Sequence, residues 1–285
     1  MSGRYLKAPL SYVVARLSTS ALADLKAEQN IDLQQSLSLL GYIHKETASM
    51  NQINIDILSS AFNKDELLTQ VKRVCYLDVH RKKSIVYDSN SIEFRTTSYT
   101  EYDDFMSDFE NVRMAFMDAV PAYRKAIVNE VVLSYVDIIV PAKGFELKDF
   151  FYKGENSLPL NSFGQRNSSL ALAKTELNEI IDSMHRVFIS IEQLPQKVRR
   201  FVPESMVEPE QKFAMPIELN YEPNAESEEP YAVISTQAAQ LYQEKFLGET
   251  KCLELFDDSH KSCGECFKLL INREVCNNVW EYSDR

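Results

Sequence analysis

The segment at residues 127–140 constrains this chain more than any other. Val131 to Val140 reads Val-Val-Leu-Ser-Tyr-Val-Asp-Ile-Ile-Val, apolar at positions of both parities. In a strand, successive side chains point to opposite faces. A strand of this composition must be covered on both faces for much of its length. The run is about half the roughly 20 residues a membrane helix needs, and Asp137 interrupts it. Near the N-terminus, Arg16 breaks the apolar run that follows Arg4 and Lys7, and no small-residue cleavage site follows. The expectation is a cytoplasmic chain with no membrane partner.

Around this strand the other elements fall into place. Ser11–Leu17 (SYVVARL) predicts a strand, and Ser20 can cap a short helix through Leu25. Residues 31–58 combine a helical spacing at Leu33, Leu37 and Leu40 with possible strands after it. Residues 75–99 predict a strand meander: CYLDVH, SIVY, a turn at Asp88-Ser89-Asn90, then SIEFRTT. Tyr102, Phe105, Phe109, Val112, Phe116 and Val120 follow at three-and-four spacing, which predicts a helix. Thr100 and Asp103 approximate a capping box at its start, and Pro121 ends it.

Further along, Met184–Glu192, Phe213–Tyr221 and Tyr231–Thr236 read as strands. A last helix begins near Thr250 with Phe256, Cys263, Phe267 and Leu270 on one face. Residues 153–169 and 222–230 have the composition of connectors. Strands and helices do not alternate as βαβ units. The predicted class is α+β, with largely antiparallel sheet and packed helices. Two loosely similar α+β halves, 1–145 and 146–285, could share one continuous sheet.

Composition narrows the chemistry. The 285 residues include only 7 glycines, and no Walker-type or dinucleotide-binding glycine motif occurs. Neither a nucleophile-elbow motif nor His-Glu-x-x-His is present. A net charge of −11 argues against bulk attraction to nucleic acid or anionic lipid. Five cysteines, four of them within residues 252–276, do not form a secreted disulfide framework. No cofactor is expected.

Three groups of residues could carry chemistry. Cys252, His260, Cys263 and Cys266, with Cys276 beyond them, hold thiolate and imidazole donors suited to Zn²⁺, and Cys263-x-x-Cys266 is a common half-site. The alternative is that Cys252 and Cys263 are small buried apolar groups on the stripe of Phe256 and Phe267. Asp137 with Glu146-x-Lys148 matches the pattern of metal-dependent nucleases, against the plainer reading of a strand-edge charge and a solvated loop. Arg81, Lys82 and Lys83, with His80 beside them, would form a basic hairpin tip able to grip phosphates, or simply a soluble turn.

The order of segments resembles the family known as sporadically distributed protein, found patchily in bacteria and some archaea. The resemblance rests on Pro9–Val14, residues 91–116, Val132–Pro141, Lys148-Asp149-Phe150-Phe151, and His260 through Phe267, Ile271 and Arg273. Ser134 and Asp137 stand where the family has Arg and Asn, Val233-Ile234-Ser235-Thr236 replaces its "LDID", and the cysteines lie outside its pattern. The resemblance implies no catalytic residues; its patchy distribution is that of accessory genes. The resulting expectation is a non-enzymatic binding or adaptor protein of a bacterial accessory module, in antiphage defence or toxin control. It would act on a protein partner encoded nearby or as a homo-oligomer. A metal-dependent nuclease and a nucleic-acid sensor are the alternatives.

Overall fold

The computed structural model describes residues 3–20, 25–53, 68–154, 158 and 172–284. Among them, nine strands form one antiparallel sheet. They are β2 (Leu10–Thr19), β3 (Tyr42–Ile53), β4 (Leu68–Asp78), β5 (Lys83–Tyr87), β6 (Ser91–Thr96), β7 (Ile127–Ile139), β8 (Ala173–Ile180), β9 (His185–Pro195) and β10 (Pro230–Phe246). Their order across the sheet is β3-β4-β5-β6-β2-β7-β10-β9-β8. A separate two-stranded ribbon joins β1 (Gly3–Tyr5) to β11 (Tyr282–Asp284). Four helices complete the fold: α1 (Ala27–Leu39), α2 (Tyr102–Ala119), α3 (Cys252–Leu270) and α4 (Arg273–Val279). This is an α+β fold built on a large antiparallel sheet. No helix among the described residues is long and apolar enough to cross a membrane.

The apolar segment at 127–140 is β7, near the middle of the sheet between β2 and β10. Its parity divides the core. Val131 and Leu133 face α1, α2 and α3, together with Val13, Ala15 and Leu17 of β2. Val136, Ile138 and Val140 point the other way, with Tyr12, Val14, Tyr231 and Val233.

On the helical face, α2 buries Phe105 and Phe109 against Phe94 of β6, with ring centroids 5.0 and 5.6 Å apart. Such stacked pairs add about 0.5–1.5 kcal/mol beyond the area they bury. The helix starts without the expected side-chain cap. Glu101 is the N-cap residue, and the Thr100 hydroxyl donates to the Asp104 carboxylate at 3.3 Å instead. The meander forms as its turn residues require. Asp88 Oδ1 accepts from the Asn90 N–H at 2.8 Å and the Ser91 hydroxyl at 3.1 Å, closing the β5–β6 turn. Of the short helix expected from Ser20 to Leu25, residues 21–24 lie outside the described residues; Ser20 Oγ accepts from the Ile127 N–H.

Among the described residues, no α-helix packs on the opposite face of the sheet. Residues 196–229, which hold only 3-10 turns, run across it. Phe201, Met206, Met215 and Leu219 cover Tyr12, Val14, Val136 and Tyr231. Phe213 sits on Cys75, Leu77 and Val86. The strand expected at Phe213–Tyr221 is therefore corrected to an unpaired strap. Its alternation is real: residues 213, 215, 217, 219 and 221 are the less exposed ones. Packing onto the sheet face satisfies that alternation, and Pro216 removes a donor that pairing would need.

Buried charge fastens the strap. Glu208 accepts from Arg73 at 2.7 and 3.1 Å and from Arg95 at 2.8 Å, and Arg95 also bonds Glu93. The two guanidiniums hold the Glu208 carboxyl below its ordinary range, against the upward push of burial.

Candidate functional site

The helical-face core is not continuous. One cluster under α2 and another around Trp280 flank a cavity of about 620 Å³. Tyr135 and Asp137 of β7 and Thr236 of β10 line it from the sheet, and His260, Cys263, Gly264 and Phe267 line it from α3. Strand geometry places the sheet residues. Thr236 pairs with Tyr135 and Ile234 with Asp137 in the β10–β7 register, and alternate residues share a face. On α3, residues 260, 263, 264 and 267 fall on one stripe by helical spacing. Gly264 lines the cavity, and a Cβ there would meet nothing within 4 Å.

Asp137 is the unusual group. It is only 6% exposed, and no described residue supplies it with a hydrogen bond or an ion pair. Burial alone pushes its carboxyl from 3.8 up to about 7. A buried carboxylate normally finds a cation or several donors, because leaving water without them is costly. Here the described residues supply neither. Thr236 Oγ1, on the same wall, is also buried without a partner.

Beside Asp137 lies an ordered aromatic set. The Tyr135 hydroxyl is 2.8 Å from His260 Nδ1, and its ring packs edge-on against Tyr99 at a centroid distance of 5.9 Å. The His260 ring stacks on Tyr102 at a centroid distance of 3.9 Å. Burial holds the imidazole below its ordinary 6.5, outweighing Asp257 and Asp103. It also raises the Tyr135 hydroxyl and the Cys263 thiol, so neither is an anion at neutral pH. At the exposed rim stand Lys268 and Arg273, neither paired with an acid among the described residues.

The sequence candidates are distributed unevenly over this geometry. Asp137 lines the cavity. Glu146 and Lys148 do not; they pair with each other at 2.9 Å on the 3-10 turn at Leu147–Phe150. Of the Cys/His group, His260 and Cys263 reach the cavity. Cys252 is sealed in the core beside Phe256, and Cys266 is half-buried near Val187 and Ala238. Among the described residues, no three His, Cys, Asp or Glu side chains are grouped to hold a metal ion. The basic tip is tied down. Arg81 donates to the Lys212 carbonyl at 2.6 Å, Lys82 pairs with Glu218 at 2.8 Å, and Lys83 pairs with Asp108.

A second cavity, of about 820 Å³ on the strap side, is lined by Arg73, Arg95, Glu93 and Glu208. Its buried charges already satisfy one another. In contrast, the cavity at Asp137 is lined by a buried carboxylate that no described residue pairs or hydrogen-bonds. Sequence reading missed Tyr99, Tyr135, Thr236, Gly264 and Lys268 as site residues. The one available signal was a carboxylate inside an apolar strand. No family model matches this chain, and no curated protein matches it. The resemblance in segment order therefore assigns no role to any of these residues.

Proposed function

We propose that this protein is a binding protein whose ligand occupies the cavity between α3 and the centre of the sheet. One observation carries the reading: Asp137 is buried at the cavity wall with no partner among the described residues. The volume supports it, since pockets for drug-sized ligands span roughly 300–1,000 Å³ and combine apolar lining with a few placed polar groups. A ligand donor would meet the carboxylate and relieve its desolvation. As part of an accessory module, such a protein would report ligand occupancy to a partner.

Thermal-shift screening of a panel of small metabolites tests this, with Gly264→Phe as control because the added ring would fill the cavity. The expected result is a compound that raises the melting temperature of the parent protein and not of Gly264→Phe. Equal shifts in both, or no shift across the panel, would overturn the reading.

A separate observation favours a protein partner as well. β8 is an edge strand with β9 on one side and no strand on the other among the described residues. It exposes Leu177 and Ile180, with Ile181 just beyond. An edge bearing apolar side chains is a template for pairing with another chain. Light scattering on the parent protein and on Leu177→Lys/Ile180→Lys tests this. A complex or dimer lost in the double variant is expected, and an unchanged mass in both contradicts it.

A further inference from the structure

The cavity's two ends differ in charge, and the difference points to a class of ligand. Asp137 offers two carboxylate oxygens at the buried end. Lys268 and Arg273 stand at the exposed rim, unpaired with any acid among the described residues, in a chain of net charge −11. The lining also includes six aromatic rings, those of Tyr5, Tyr99, Tyr135, His260, Phe267 and Tyr282. A small zwitterion such as a free amino acid would match the charges but leave most of the 620 Å³ empty. A planar ring suits the aromatic walls, because π-faces stack on it whatever its substituents.

We propose that the ligand is a nitrogen heterocycle with adjacent N–H donors and an anionic substituent, the chemistry of a guanine nucleotide. The base would enter first, its paired N–H groups donating to the two oxygens of Asp137, and the phosphate would remain at the rim with Lys268 and Arg273. A carboxylate accepts from two adjacent donors at once, as it does with arginine. An adenine edge places a ring-nitrogen acceptor against the carboxylate and is disfavoured. Thr236 Oγ1, lacking a partner on the same wall, is available to a further polar atom of the ring. This inference rests on the cavity being a ligand site.

Isothermal titration calorimetry at pH 7.5 tests it with guanosine monophosphate, guanosine, adenosine monophosphate and inorganic phosphate as probes. Guanosine monophosphate is expected to bind one to one. Guanosine should bind about 10-fold more weakly, and adenosine monophosphate and phosphate at least about 10-fold more weakly, as expected for losing one charge-assisted contact. Lys268→Ala/Arg273→Ala should lower guanosine monophosphate to the affinity of guanosine. Asp137→Asn should cost about 10–100-fold and bring the two nucleotides close together. Equal binding of the two nucleotides by the parent protein, or no effect of Asp137→Asn, would overturn the assignment. If guanosine monophosphate fails while the metabolite panel still yields a ligand excluded by Gly264→Phe, the ligand class is wrong and the cavity reading stands. If both fail, both fall.

Discussion

Replacing Asp137 by Asn should stabilise the protein, and by an amount that depends on pH. The folded carboxyl is held at about 7 against an ordinary 3.8. The proton is therefore bound more tightly in the folded chain than in the unfolded one. Between those two values the folded state carries a proton that the unfolded state has released, so stability falls as pH rises. Each unit of displacement corresponds to about 1.4 kcal/mol, so the full penalty above pH 7 is about 4 kcal/mol. From pH 5 to pH 8 about two units of that range are crossed, a loss of about 3 kcal/mol. Asn has the shape of the protonated acid and cannot ionise, so Asp137→Asn should escape this loss. Urea unfolding of both proteins at pH 5 and pH 8 measures it. The stability advantage of the variant should grow by about 3 kcal/mol between the two pH values. An advantage that is the same at both, or a variant less stable at pH 8, would refute the claim that Asp137 is buried without compensation. A residue retained at such a cost is the kind found at binding sites, where stability is given up for function.

Three further outcomes follow from the same structure. Glu208→Gln leaves the Arg73 and Arg95 guanidiniums buried without their carboxylate; urea unfolding should show a loss of about 3–5 kcal/mol, and a loss under 1 would contradict the fastening role of this cluster. Gly248→Ala puts a Cβ 2.9 Å from both the Cβ and the carbonyl oxygen of Arg124; the crowding should cost about 1–3 kcal/mol in the same assay, and a neutral result would show that this approach is loose. In an NMR titration the His260 ring should protonate below 6.5, because burial disfavours its charged form; a midpoint above 6.5 would mean that the neighbouring acids Asp257 and Asp103 dominate instead.

Much of the fold was legible because local pattern and global packing agree along β2, β4 to β7, α2 and α3. Phe105, Phe109, Val112 and Phe116 repeat at helical spacing and all are buried. The failures have physical causes. β8 reads AKTELNEI and lies at a sheet edge, mostly exposed, so it lacks the apolar alternation that marks a half-buried strand. β10 runs 17 residues, yet only its first part reads as a strand, because beyond Ala239 it emerges into solvent and Gln240, Gln243, Glu244 and Lys245 interrupt the apolar pattern. The strap at 213–221 has strand alternation without strand pairing, since a sheet face can bury alternate residues as well as a core can. Three residues singled out in the sequence, Asp137, His260 and Cys263, line the cavity, but the sequence does not join them into one site. Asp137 stood out inside an apolar run, but Tyr135 and His260 are 125 positions apart, and only the fold brings them together. Cys252, Cys263 and Cys266 are close in sequence, yet Cys252 packs in the cluster under α2 while Cys263 and Cys266 lie together beside Val187 and Ala238.

The proposed function requires that the Asp137 carboxylate be held in reserve for a ligand. Carbon-13 NMR of the Asp137 carboxyl, followed through a pH titration of the free protein, tests that claim most directly. A midpoint near pH 7 is expected, moving down when a cavity ligand supplies donors to the carboxylate. A midpoint near 4 in the free protein would mean that Asp137 is already solvated or paired, and the cavity would lose its reason to bind.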